Sequence, residues 1–226
     1  MIMEKLDMGN KKIFEYNNET RKTAYLNWQM YPRQPIHNMN VLAEGYKSAA
    51  NYLIKECLDD NADRKADTLI LPILFCINQG IELYEKALWM SLNILLGYNP
   101  EYTENHDIRG KWFEVKNKIK KFGFETLGSD EKEFNSMIIP LEKYIAEVMD
   151  KINRDGDINK AYFNIDFSRY PLNNRKQAQF YVEKAENSVV DIEYLNIMVK
   201  DLFKCLDSLS GYYYELVLNK WDSARE

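Results

Sequence analysis

The chain holds two histidines, His37 and His106, and these are its only side chains that titrate near neutrality when unperturbed. His37 lies among prolines and reads as a loop histidine. His106 stands in more useful company. Asp107 follows it directly, and Arg109 lies one turn further on the same face. Asn105 or Asp107 suits the N-cap of a helix running to about Phe122. An imidazole placed there sits near unpaired backbone N–H groups, whose positive end favours anions. Lys111, Lys116, Lys118, Lys120 and Lys121 make this the most basic segment of the chain. The chemistry on offer is phosphate binding, or proton transfer by His106. Two structural readings stand beside it. The lysines can form a solvated face, and the His106 ring can donate to Glu82 and fix the corner between two helices.

Glu82 belongs to a second group, with Asn78 and Lys86. The three recur one turn apart on one helix face, with Glu before Lys in the favourable order. This is either a surface ion pair or a polar seam facing a functional cleft.

The element that carries this group runs from Leu69 to Leu96. It is apolar on almost every side, as expected of a helix at the centre of a bundle. Asn78, Gln79, Glu82, Glu85 and Lys86 interrupt it, so a membrane span is not expected. Polar groups carried inward by such a helix must be paired. Pro72 should sit in its first turn or kink it. Gly97 and Pro100 supply its stop.

The remaining elements are placed around it. Residues 1–40 read as a polar, aromatic arm laid over the body, with a short helix near Asn18–Tyr31. Pro32 and Pro35 discourage helix around Arg33. A single helical domain spans 41–226. Its first helix is Val41–Leu58, with Leu42, Tyr46, Ala49, Leu53 and Cys57 at helical spacing. After the basic helix, Ser129 can cap another that carries Phe134, Leu141, Ile145 and Ile152, kinked at Pro140. The stretch Asn153–Arg175 is irregular, with a turn at Asp155-Gly156 and a short strand possible over Ala161–Phe167. The last long helix begins between Lys176 and Val190 and runs to about Trp221. Of Tyr212, Tyr213 and Tyr214, at least one should lie at a surface or subunit contact. The fold class expected is therefore all-α: an antiparallel helical bundle with long central helices and an irregular N-terminal arm.

Composition bounds the function. Net charge is -5 and hydrophobic residues make up 46% of the chain. The whole molecule is not an obvious polyanion binder, though local basic patches are allowed. Cys57, Cys76 and Cys205 are scattered without metal-ligand spacing and read as core thiols. No secretory signal is visible at the N-terminus, so a cytoplasmic location is expected. Gly-rich phosphate loops, nucleophile elbows and zinc-ligand patterns are absent from the sequence. No metal and no cofactor is expected.

Three fragments together resemble the HEPN superfamily of helical nucleotide-binding domains, in its larger bacterial, abortive-infection-type form. They are Gly80-Ile81-Glu82-Leu83-Tyr84-Glu85-Lys86-Ala87-Leu88, then His106-Asp107-Ile108, then Arg169-Tyr170-Pro171. The resemblance covers roughly residues 41–215. It implies an antiparallel bundle, often a homodimer, acting on or binding RNA in toxin–antitoxin or phage-defence systems. Many members are metal-independent endoribonucleases that carry Arg, then His, with about four to six residues between them. This chain departs from that pattern. No Arg precedes His106 at that distance, and no His follows Arg169. Two readings remain. One is a non-catalytic module binding RNA, a nucleotide or a protein partner. The other is an endoribonuclease toxin using His106 with a non-local arginine, Arg109 or Arg169, and with Glu82 or Asp107 orienting the imidazole. On either reading the binding seam comprises Asn78, Glu82, Lys86, His106, Asp107, Arg109, Arg169 and Tyr170.

Overall fold

The computed structural model describes residues 12–101, 106–124, 130–152, 165–173, 176–183 and 188–224. Its first helix, α1, spans Pro35–Asp59 and so begins six residues before the expected Val41. Pro35 is the reason. Its missing N–H is no loss at a first helical position, and its fixed φ suits the helix. His37 consequently lies in the first turn of α1 and not in a loop. Ahead of it, only a 3-10 turn at Thr20–Lys22 forms where a short helix was expected. Side chains take the local backbone donors: Asn17 Oδ1 accepts from Glu19 N, and Thr23 Oγ1 accepts from Asn17 N.

The second helix, α2, spans Lys65–Leu96. Its first N–H groups are satisfied by the preceding loop, Asp63 Oδ1 accepting from Lys65 N and Asn61 Oδ1 from Ala66 N. Pro72 lies inside the helix on an exposed side. Gly97 ends it in the left-handed region at φ 77°, where the absence of a Cβ removes the steric penalty. Tyr98 N then bonds back to Asn93 O at 2.7 Å. Lys220, far along the chain, donates to the orphan carbonyl of Ile94 at 2.7 Å.

Helix α3 spans Ile108–Phe122, capped by Asp107, whose carboxylate accepts from Gly110 N. The segment expected as one kinked helix is broken into α4, Glu131–Met137, and α5, Ile139–Ile152. Pro140 forces the break, because it removes a donor and clashes with the preceding turn. Asp130 caps α4, while Ser129 and Asn105 lie outside the described residues. Ile165–Ser168 is a 3-10 turn where a strand was possible; 161–164 lie outside the described residues. A single turn, α6, follows at Phe180–Glu183. The last helix, α7, spans Ile192–Ser223 with Asp191 as its cap.

The result is an all-α bundle. Helix α2 is its centre, packed by α1, α3 and α7, with α5 against α7. It is the one described helix long and apolar enough to cross a membrane, with a mean hydropathy of 1.3 over its most apolar stretch. Here that apolarity is used for packing. Ile73, Ile77, Ile81, Leu88 and Leu92 meet Ile54 of α1, Val115 and Ile119 of α3, and Leu202, Phe203 and Leu206 of α7 in one core. Cys57 and Cys205 are buried there and Cys76 is half-buried; all three are free thiols. Of the three tyrosines, Tyr213 is fully buried while Tyr212 and Tyr214 are half-buried.

Gly80 of α2 packs directly under Phe203 of α7. A Cβ there would lie 2.9 Å from the ring of Phe203, itself buried. Gly80→Ala is therefore expected to destabilise by about 1–3 kcal/mol through overpacking, despite a helix-propensity gain of about 1 kcal/mol. Chemical denaturation checks it; a rise in midpoint would show that the interface has room.

Candidate functional site

Phe75, Gln79, Glu82 and Lys86 fall on one stripe of α2. Gln79 and Lys86 are half-buried, so this is the accessible side of the central helix. Glu82 is the exception at 1% exposure. A carboxylate in that position must be compensated. Lys86 Nζ donates to Glu82 Oε1 at 2.5 Å. His106 lies across from it, Nδ1 at 3.1 Å from each carboxylate oxygen. An ionised carboxylate only accepts, so the ring proton facing it is on Nδ1. The imidazole is 47% exposed, and Nε2 makes no hydrogen bond to the described residues. Glu82 thus holds a histidine whose second nitrogen is open to solvent.

The third basic side chain arrives from the segment after α5. Arg169 Nη2 donates to Gln79 Oε1 at 2.9 Å, and its guanidinium lies 5.1 Å from the centre of the Phe75 ring. Asp166 stands 3.7 Å from the same guanidinium. Gln79 precedes Glu82 by three residues, a rise of about 4.5 Å along the helix. His106 and Arg169, distant in sequence, are therefore anchored about one turn apart on one stripe, with Lys86 a further turn along.

The other expected residues are placed differently. Asn78 is buried on the neighbouring flank, where its Oδ1 accepts from Tyr144 Oη of α5 at 2.8 Å. It ties two helices together. Asp107 works as the α3 cap. Arg109 is exposed and makes no hydrogen bond or ion pair among the described residues. The Tyr170 ring is exposed, and only its backbone is engaged, by Asp166 O and Tyr181 Oη. The basic face of α3 is largely occupied. Lys116 pairs with Glu142 and Lys120 with Glu131. Lys118 and Lys121 lie over the Tyr98 ring. Among the described residues no cluster of His, Cys, Asp and Glu could hold a metal ion.

Two more residues lie beside the site, Glu85 and Lys111, which the sequence shows only as an interruption of the central helix and as part of the basic segment. Glu85 is fully buried, and neither carboxylate oxygen has a hydrogen-bond partner among the described residues. Burial pushes its pKa well above the usual carboxylate range, with buried Lys111 opposing that rise. Burial also lowers the pKa of Lys111, against the pull of Glu85. The two are thus charge neighbours without a hydrogen bond. The signal for Lys111 was its spacing: it falls three residues after Ile108 and four before Val115, on the apolar side of α3.

No family model, curated protein or solved structure matches this chain.

Two outcomes follow. Glu82→Ala leaves Lys86 without its carboxylate and is expected to destabilise by about 3 kcal/mol, against under about 1 kcal/mol for an exposed pair. An unchanged denaturation midpoint would count against a buried pair. Glu85→Gln tests the other carboxyl. A carboxyl with a raised folded pKa holds its proton more tightly folded than unfolded. Wild type therefore loses stability as pH rises from the unfolded value, about 4.3, toward the folded one. Glu85→Gln is expected to match wild type near pH 4 and to be the more stable of the two at pH 8. Midpoints measured across that range would reveal a pH-independent difference if burial were not the cause.

Proposed function

We propose that this chain is a HEPN-like helical module that binds RNA in a bacterial stress or phage-defence system, through the accessible stripe of α2. The observation that carries the reading is the convergence of Lys86, His106 and Arg169 on that stripe. A phosphodiester is the ligand such a set fits. Arg169 offers a planar fork to phosphate oxygens, Lys86 a point charge, and the imidazole a neutral or charged donor. The sequence resemblance supports RNA as the source of that phosphate, and supports a homodimer as the working unit and the cytoplasm as its location.

A second reading, the metal-independent endoribonuclease, is favoured by one specific contact. The carboxylate of Glu82 orients the His106 ring and leaves Nε2 exposed, the arrangement a general base needs. In that reaction Nε2 takes the proton from a ribose 2′-hydroxyl, whose oxygen attacks the adjacent phosphorus. The P–O5′ bond breaks, and the leaving oxygen takes a proton from water or from the imidazolium. Arg169 stabilises the charge that develops on phosphorus-bound oxygen.

His106→Gln and Arg169→Gln separate these readings. Each keeps a hydrogen-bonding side chain toward its partner, so near-native melting is expected. RNA affinity should fall about 5- to 30-fold in each, and the salt slope should drop by about one for Arg169→Gln. Cleavage to cyclic-phosphate ends in the presence of chelator, lost in His106→Gln, would establish the enzymatic reading. Wild type that binds no RNA would overturn both.

A further inference from the structure

The N-terminal arm presents aromatic rings to solvent that the bundle does not use. Tyr16, Tyr25 and Trp28 form a row, with ring centroids 6.1 and 6.5 Å apart. Tyr16 is 81% exposed and Trp28 70%. Unpartnered rings of this size are costly to leave in water. The row is also set in a frame. Asn38, in the first turns of α1, accepts from Tyr31 N and donates to Tyr31 O, both at 2.9 Å. His37 Nε2 lies 2.8 Å from Gln29 O, and Tyr214 Oη of α7 reaches Gln34 at 3.3 Å. The stretch that carries Trp28 is therefore tied at its C-terminal end to α1 and α7.

Charge decides what such a row would meet. On a chain of net charge -5, residues 12–34 carry Lys12, Arg21, Lys22 and Arg33 against Glu15 and Glu19. Glu19 is neutralised within the arm by Arg21 and Lys22. The arm is a cationic, aromatic strip on an acidic protein. A partner with flat apolar faces and a regular negative charge matches it, and unpaired nucleobases on a phosphate backbone have both. A duplex hides its base faces and has only its charge to offer. A lipid surface would be met by a continuous amphipathic helix, whereas residues 12–34, the described part of the arm, hold one 3-10 turn and otherwise irregular backbone.

We infer that the arm is a second RNA contact, a stacking platform for single-stranded RNA that Tyr16, Tyr25 and Trp28 supply and Arg21 and Lys22 flank. This rests on the reading of the chain as an RNA binder, and it names the substrate as unpaired.

The test uses the full chain and a labelled oligouridylate of about twelve nucleotides, followed by fluorescence anisotropy. Trp28→Ala and Tyr16→Ala should each weaken binding about 5- to 100-fold, while Trp28→Tyr and Tyr16→Phe retain most of it. Melting should be unchanged, because these rings lie outside the core. A duplex of the same length should bind equally to wild type and Trp28→Ala. Full affinity in both alanine variants, with Arg169→Gln still weakened, would overturn the arm platform and leave the α2 stripe standing. Loss in the arm variants with Arg169→Gln at full affinity would do the reverse. Wild type that binds phosphatidylserine vesicles but no oligouridylate would overturn the platform in favour of a membrane surface.

Discussion

A carboxylate buried beneath the accessible side of the central helix is the constraint that organises this molecule. Glu82 is almost fully buried on a helix whose neighbours are isoleucines and leucines. Removing such a charge from water is unfavourable by several kcal/mol unless other groups compensate. One compensating group is on α2 itself, Lys86, a turn away. The other, His106, must be brought by the chain immediately before α3, and that fixes where the α3 N-terminus sits. Asp107 caps the helix at that point, so the stop of one loop and the partner of a buried charge are set by adjacent residues. The α2–α3 corner follows from this single requirement.

Two groups of basic residues are used differently. Those of α3 mostly hold the bundle together: Lys116 and Lys120 reach carboxylates on α5 and α4, and Lys118 and Lys121 cover an aromatic ring. Lys86, His106 and Arg169 are instead gathered on the accessible side of α2. Each is held by an acceptor, Glu82 or Gln79, so their positions are fixed before any ligand arrives. Preorganised donors are worth more toward a charged ligand than mobile surface lysines, because less side-chain entropy is lost on binding.

The helices were legible in the sequence where apolar spacing was regular and caps were conventional, as for α2, α3 and the long α7. Boundaries were missed where a local rule had two readings. Pro35 reads as a helix breaker and instead starts α1; Pro140 reads as a kink and instead separates α4 from α5. For the site, Glu82, Lys86 and His106 could be named because spacing on one helix and a corner position suffice. The closeness of Arg169 to Gln79 was not legible, since nothing local reports which turn of α2 a distant loop will touch. Glu85 is legible as a polar interruption of an apolar helix, but spacing alone does not show that no hydrogen-bond partner among the described residues meets it. The HEPN resemblance and the RNA ligand remain readings of function and go beyond the helical architecture.

The seam between α1 and α7 has a consequence for how the chain reaches this state. Lys47 donates to Asp207 at 2.6 Å, and Ser210 donates to Asn40 at 2.7 Å, across 160 and 170 residues of sequence. Helices α1 and α2, by contrast, are joined by a loop of a few residues. Closing the long loop carries the larger entropic penalty, and only contacts formed late can offset it. Loop length alone favours formation of the α1–α2 hairpin before the docking of α7. Until that docking, the apolar side of α2 that meets Phe203 and Leu206 stays uncovered, and that interval is when the chain is most prone to self-association.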